Sequence, residues 1–279
     1  TEEALQVTSV YSVSTRVPRP SGLLSRRAFR APHHTISSAA LIGGGTNPQP
    51  GEVSLAHHGV LFLDELTEFR RDVLEGLRQP LEDGSVTVAR ARSTLTFPAA
   101  FQLVAAANPC PCGYLGDQRR ECTCTPPAVA RYRSRLSGPL LDRLDLQVTV
   151  PAVPWRDLAS HRRGEPSLAV ADRVRTARER ARRRFGKGGP LANGAMESDH
   201  IREWASPDDD GRRLLEHASR SLGLSARAWH RILRVARTIA DLAGEDGVGA
   251  PHIAEAIAYR ALDRRPSPAP AAASLGATK

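Results

Sequence analysis

The sequence predicts an α/β fold, a parallel sheet with helices and an inserted β-hairpin, followed by an all-α domain. Three observations carry this expectation. The first 155 residues alternate short apolar runs with Gly and Pro punctuation. Three of those runs, Val60 to Leu63, Phe101 to Ala106 and Leu146 to Val150, are apolar nearly throughout, as central parallel strands buried on both faces are. Beyond Pro166 the apolar spacing changes to a helical one.

Taken in chain order, the Val60 to Leu63 run is the first strand. Arg71 to Leu81 then reads as a helix with Val73, Leu74, Leu77 and Leu81 on one face. Val86, Val88, Leu95 and Phe97 mark two short strands joined by a turn containing Arg90, Ala91 and Arg92, which places two arginines at a hairpin tip. The other two apolar runs supply further strands. From Pro151 to Pro166 the chain is polar and proline-punctuated, the character of a connector. We therefore divide it into a core over 1–155, a linker over 156–167 and a helical domain over 168–265. Helices are expected from about Leu168 to Phe185, Ser198 to Ala205, Asp208 to Leu222, Ser225 to Leu242 and Pro251 to Leu262. Ser198 and Ser225 are the expected N-caps, and Pro251 falls in a first turn. Residues 266–279 are rich in Pro, Ala and Ser and are expected to be disordered.

The 279 residues carry a formal charge of +9 and a pI near 10.2, which favours a polyanionic partner, nucleic acid first. Lysine occurs only at Lys187 and Lys279, so arginine carries the charge, as a GC-rich genome would also produce. No apolar run approaches the roughly 20 residues of a membrane span, and no secretory leader opens the chain, so a soluble, cytoplasmic protein is expected.

The segment Val60-Leu61-Phe62-Leu63-Asp64-Glu65 is an apolar strand ending in two carboxylates, the pattern of a Walker B motif. At the end of a buried strand Asp64 would hold Mg²⁺ directly or through water, and Glu65 would polarise an attacking water. The plain alternative is a strand followed by an exposed acidic turn. Three more residues follow in the order expected of a AAA+ module. Asn108, ending the run from Phe101, resembles a sensor 1 residue that orients the lytic water; by itself it reads as a turn former before Pro109. Arg143, within Gly138 to Leu146, resembles an arginine finger that faces outward and reaches the nucleotide of the next subunit; the alternative is an ion pair with Asp142 or Asp145. Burial of Arg143 in the core of its own subunit, or an acidic pair placed away from Asn108, would overturn the motor reading. Arg227 opens a helix with Trp229, Ile232, Leu233, Ala236 and Ile239 on its apolar face and matches a sensor 2 arginine, or else is a solvated first-turn residue.

Taken together, Arg27 to Val150 resembles the ComM/YifB family of Mg-chelatase-like AAA+ proteins. The segments that carry the resemblance are Phe29 to Thr35, Pro50 to His57, Val60 to Leu66, Leu77 to Gly84, Asn108 to Gly113 and Ser137 to Leu146, and the helical half extends it to about Leu262. The resemblance implies a partial AAA+ P-loop NTPase core with its lid, binding ATP and Mg²⁺. It further implies a hexameric ring acting on DNA without sequence preference, similar in function to the branch-migration helicase of natural transformation. Arg90 and Arg92 would then grip the phosphate backbone in the pore. One departure matters. Family members carry a Gly-x-x-x-x-Gly-Lys-Ser/Thr loop upstream of the segment that resembles Glu3 to Ser14, and these residues contain none. Lys187, in a Gly-rich stretch after the acidic pair, does not replace it. A fragment with weak or absent ATPase activity of its own is expected. The competing readings are a chelatase-type or remodelling ATPase and an inactive DNA-binding or oligomerisation piece.

Cys110-x-Cys112 and Cys122-x-Cys124 form two close pairs, which could hold a structural Zn²⁺ or stay as reduced thiols. The pairs His33-His34 and His57-His58 are not assigned a metal. Adjacent histidines on an extended segment point to opposite faces, and loop packing or contact with a subunit or DNA is preferred.

Overall fold

The computed structural model describes residues 2–45, 48–90, 93–117, 119–160 and 164–260. The chain forms two compact units, Thr1–Arg143 and Leu144–Lys279.

The first unit opens with a helix absent from the sequence expectation, α1 (Glu2–Val13). Then come β1 (Phe29–Arg30), α2 (Ser38–Ile42), β2 (Gly43–Gly44), β3 (Gln49–Pro50), α3 (Glu52–Leu55) and β4 (Val60–Leu63). After these lie α4 (Arg71–Gly76), α5 (Arg78–Asp83), β5 (Ser85–Arg90), β6 (Ser93–Pro98), β7 (Gln102–Ala105), α6 (Pro126–Arg133) and α7 (Gly138–Leu141). The parallel sheet has the order β1-β4-β7, with Leu63 opposite Ala105 at its C-terminal edge.

Leu61 and Leu63 of β4 are fully buried and pack with Leu41, Val53, Val73, Leu74, Leu77 and Leu140. Each such leucine contributes about 1.5–3 kcal/mol through burial. The expectation of burial on both faces holds for one face only. Phe29, 64% exposed, stacks on Phe62 at 6.1 Å on the other. Two glycines near the central strand are close-approach positions. A Cβ at Gly59 would meet the Ala28 carbonyl oxygen at 2.1 Å, and one at Gly51 would meet the Leu41 carbonyl oxygen at 2.4 Å.

The helix expected over Arg71 to Leu81 is two helices, α4 and α5, meeting at Leu77. Pro80 has no N–H to offer the Gly76 carbonyl, so one continuous ladder cannot form. The hairpin is present, but Arg90 is paired with Ser93 as a strand residue, so only Ala91 and Arg92 are left between the strands. Arg92 and the side chain of Arg90 lie outside what the structure describes.

His57 joins α1 to the end of the hairpin. Its Nδ1 accepts the Ala100 N–H at 3.1 Å, so its Nε2 carries the proton and faces Gln6 Oε1 at 3.2 Å. Burial, and then the neighbouring His58, lower its pKa from 6.5 to about 4. The unfolded chain therefore takes up this proton first as pH falls below 6.5, and the folded state loses stability until pH passes about 4. The expected loss is up to about 3 kcal/mol. It should appear as a fall in the urea midpoint between pH 7 and pH 4.5 that is shallower in His57→Gln; equal slopes would contradict it.

The second unit contains α8 (Trp155–Ala159), α9 (Ser167–Phe185), α10 (Ser198–Trp204), α11 (Asp209–Leu222), α12 (Ala226–Ala243) and α13 (Ala250–Ala258). Ser225 caps α12 by accepting the Ala228 N–H at 3.1 Å. Glu197, not Ser198, caps α10. Phe185, Met196, Ile201, Leu215, Ile232, Ala236 and Ile253 form the core. Through it runs a buried polar cluster. Asp241, 1% exposed in its side chain, pairs with Arg184 and Arg237 and accepts from Asn193 Nδ2 at 2.8 Å.

The third expected strand, Leu146 to Val150, is not formed. Gln147 makes an isolated bridge to Arg260 and its N–H donates to the Tyr259 carbonyl at 2.8 Å, which ties this segment to the end of α13. Val148 and Val150 are exposed. The tail expected over 266–279 lies outside the described residues.

Candidate functional site

Beyond Leu63 the chain places Asp64 and Glu65 at the C-terminal edge of the sheet, where open α/β sheets take their ligands. The backbone pairing continues past the strands. The Ala106 N–H donates to the Leu63 carbonyl at 2.9 Å, and the Leu66 N–H donates to the Ala106 carbonyl at 2.8 Å. Glu65 sits in the left-handed region at φ 51°, a conformation that costs a non-glycine residue on the order of 1–3 kcal/mol. Asp64 Oδ1 supports the bend by accepting the Glu65 N–H at 2.9 Å. Both carboxylates are exposed. Asn108, also exposed, lies just beyond β7 on the same edge.

A contact absent from the sequence reading involves His34, whose Nδ1 lies 3.0 Å from Glu65 Oε2. The ring is held by His33 at 4.1 Å and by the edge of Phe69 at 6.3 Å. His34 thereby fixes the direction of the Glu65 carboxylate. The segment Phe29 to Thr35 flagged this histidine as part of a motif, but its distance from Glu65 along the chain gave no sign of the pairing.

The adjacent histidines do not point to opposite faces. The His57 and His58 rings lie 3.9 Å apart, because His58 adopts φ 54° and the chain turns there. In both pairs one imidazole packs on the other, and His57 is a packing residue.

Arg143 requires a correction. It was expected to face outward, toward the nucleotide of a neighbouring subunit. Its side chain is instead 5% exposed and paired with Glu82 at 2.7 Å, and Nη1 donates to the Pro139 carbonyl. The carboxylate beside it is that of Glu82, whereas Asp145 is engaged by Arg231. Glu82 lies on α5, which packs beside the start of the hairpin, and a buried guanidinium needs a carboxylate of this kind to offset its desolvation. Arg227 is exposed in the first turn of α12.

Among the described residues, one group of three or more metal-type ligands lies within mutual reach, Cys110, Cys112, Cys122 and Cys124. No described helix is long and apolar enough to cross a membrane.

The family model described as magnesium chelatase, subunit ChlI, matches residues 1–158, and that of its C-terminal part matches 164–260. The chain is 51% identical over 241 residues to competence protein ComM of Haemophilus influenzae, covering 86% of this chain and 46% of that protein. It is 45% identical over 265 residues to the uncharacterized protein YifB of Salmonella typhimurium, covering 94% of this chain and 51% of that one, and equally so to YifB of Escherichia coli. The chain thus spans about half the length of the curated relatives it matches. With two family models covering nearly all of its described residues, and the parallel sheet and helical unit of a partial AAA+ core and lid, the chain belongs to the ComM/YifB family of Mg-chelatase-like proteins.

Proposed function

We propose that the full-length protein is an ATPase that moves DNA, assembled as a hexameric ring of branch-migration type, and that these residues supply its hydrolytic edge and lid. The observation that carries this reading is the Asp64–Glu65 pair at the C-terminal edge of β4, beside the strand that leads to Asn108. Asp64 fits Mg²⁺ by the chemistry of its donors, a hard carboxylate oxygen on an exposed side chain. When bound, Mg²⁺ offsets phosphate charge. Glu65, aimed by His34, accepts the proton of an attacking water, and Asn108 orients that water. Arg227 couples the lid to the nucleotide, and Arg90 and Arg92 contact the DNA backbone through phosphate.

The burial of Arg143 against Glu82 goes against the arginine-finger part of the motor reading, so we assign Arg143 no step and the reading rests on Asp64, Glu65 and Asn108. The 279 residues contain no Gly-x-x-x-x-Gly-Lys-Ser/Thr loop, and the activity is proposed for the full-length protein alone. The net charge of +9 and the name of the Haemophilus relative, a competence protein, favour DNA as the substrate. The description of the family model, a magnesium chelatase subunit, favours a second reading, a chelatase-type or remodelling ATPase.

ATPase rates of the full-length protein with and without branched or single-stranded DNA test the choice. Stimulation by roughly tenfold or more is expected if DNA engagement completes the hydrolytic geometry. A rate indifferent to DNA would sink the DNA-motor reading and leave the remodelling one.

A further inference from the structure

We propose that Cys110, Cys112, Cys122 and Cys124 form a tetrahedral, structural Zn²⁺ site that holds together the loop leaving the candidate active edge at Asn108.

The geometry comes first. Cys110 Sγ lies 3.4 Å from Cys112 Sγ and 3.7 Å from Cys122 Sγ, and Cys112 and Cys122 are 3.6 Å apart. All four sulfurs lie within 4.8 Å of one another. Four thiolates on one Zn²⁺ at about 2.3 Å form a tetrahedron whose edge is about 3.8 Å. These separations are far longer than the roughly 2.05 Å of a disulfide, and all four cysteines are free. They are also too close for all four thiolates to serve a multi-iron cluster, in which the ligands are divided among two or four irons and the sulfurs spread apart.

The local sequence explains how one residue between each pair suffices. Cys110-x-Cys112 lies in a turn closed by the Gly113 N–H, which donates to the Cys110 carbonyl at 3.0 Å, and the turn brings both of its sulfurs to one side. Backbone N–H groups point at the sulfurs: that of Tyr114 at Cys112 and that of Cys124 at Cys122. Such donors support thiolate ligands. Gly113 at φ 82° and Gly116 at φ 85° make the turns that bring the second pair back.

Apolar packing does little to hold this loop. Between Pro109 and Thr125, Cys110 is the one fully buried residue among those described. Apolar burial cannot offset the conformational entropy of ordering such a segment at about 1–2 kcal/mol per residue. A single ion bridging both pairs can. Binding displaces the four thiol protons and leaves a net charge of minus two on the site, beside the exposed cations Arg119 and Arg120. Because Arg133 Nε also holds the Pro109 carbonyl at 3.3 Å, the ordered loop anchors the turn that carries Asn108.

The test is metal analysis of the chain purified without chelator. About one zinc per chain is expected, retained through gel filtration and released by a mercurial in a colorimetric assay. Cys112→Ser with Cys124→Ser should carry less than about a tenth of that. Should the double variant fail to fold, cobalt added to the zinc-stripped chain decides. Intense visible bands with thiolate-to-cobalt charge transfer support the site. Weak octahedral bands, iron in place of zinc, or a zinc-free folded chain whose four thiols all react freely would each overturn it.

Discussion

Glu65→Gln in the full-length protein is expected to leave ATP binding intact and to lower turnover by about 10²–10⁴-fold, the range general-base catalysis supplies. Glutamine keeps the shape of the side chain at the bend and a hydrogen-bonding oxygen for His34, but it cannot take a proton from water. The backbone at φ 51° is equally strained with either residue, so the fold should be unaffected. Glu68→Gln is the control. Glu68 is also acidic and close in sequence, yet it pairs with Arg135 at 3.0 Å, and losing an exposed pair of this kind costs at most about 1 kcal/mol. Titration with a fluorescent ATP analogue reports binding, and phosphate release reports turnover. Undiminished hydrolysis in Glu65→Gln would show that the base lies elsewhere.

Asp241→Ala should be the most destabilising single change in the helical unit. The Asp241 carboxylate is buried between Arg184 and Arg237 with Asn193 as a further donor. Burial opposes its charge, but the hydrogen bonds of Arg184 and Asn193 and the nearby Arg237 outweigh that and lower its pKa. Removing it strands two guanidinium groups, one of them 1% exposed, and loss of one partner from a buried pair costs about 3–5 kcal/mol. A fall in Tm on the order of 10 °C follows for a unit of this size, whereas Asp210→Ala, which breaks an exposed pair with Arg213, should shift it little. A depressed folded pKa means that the stabilisation is complete above the unfolded value near 3.8 and is lost as pH falls through the folded one. An Asp241→Ala protein melting within a degree or two of wild type would contradict the assigned role.

Local signals made much of this molecule legible. Val60 to Leu63 followed by two carboxylates identified both the central strand and the acidic edge, because an apolar run that stops abruptly at charge has few other structural meanings. The long helices of the second unit were readable from their period and from caps such as Ser225. What failed depended on partners distant in sequence. Leu146 to Val150 has the composition of a strand, but the other end of its pairing is Arg260, and no local pattern distinguishes a sheet neighbour from a helix end. Arg143 looked like a free cation because Glu82 gave no hint that α5 would bring a carboxylate to it. The pairing of His34 with Glu65 was hidden for the same reason, and the division at Leu77 turned on a single proline within an otherwise helical pattern.

The backbone bonds that join Leu63, Ala106 and Leu66 past the ends of β4 and β7 splice the acidic corner to the base of the turn bearing Asn108. Neither has a private hinge. A push delivered to one is carried to the other through main chain rather than through side chains that could slip, so water activation and sensing of the γ-phosphate would be geared to a single stroke.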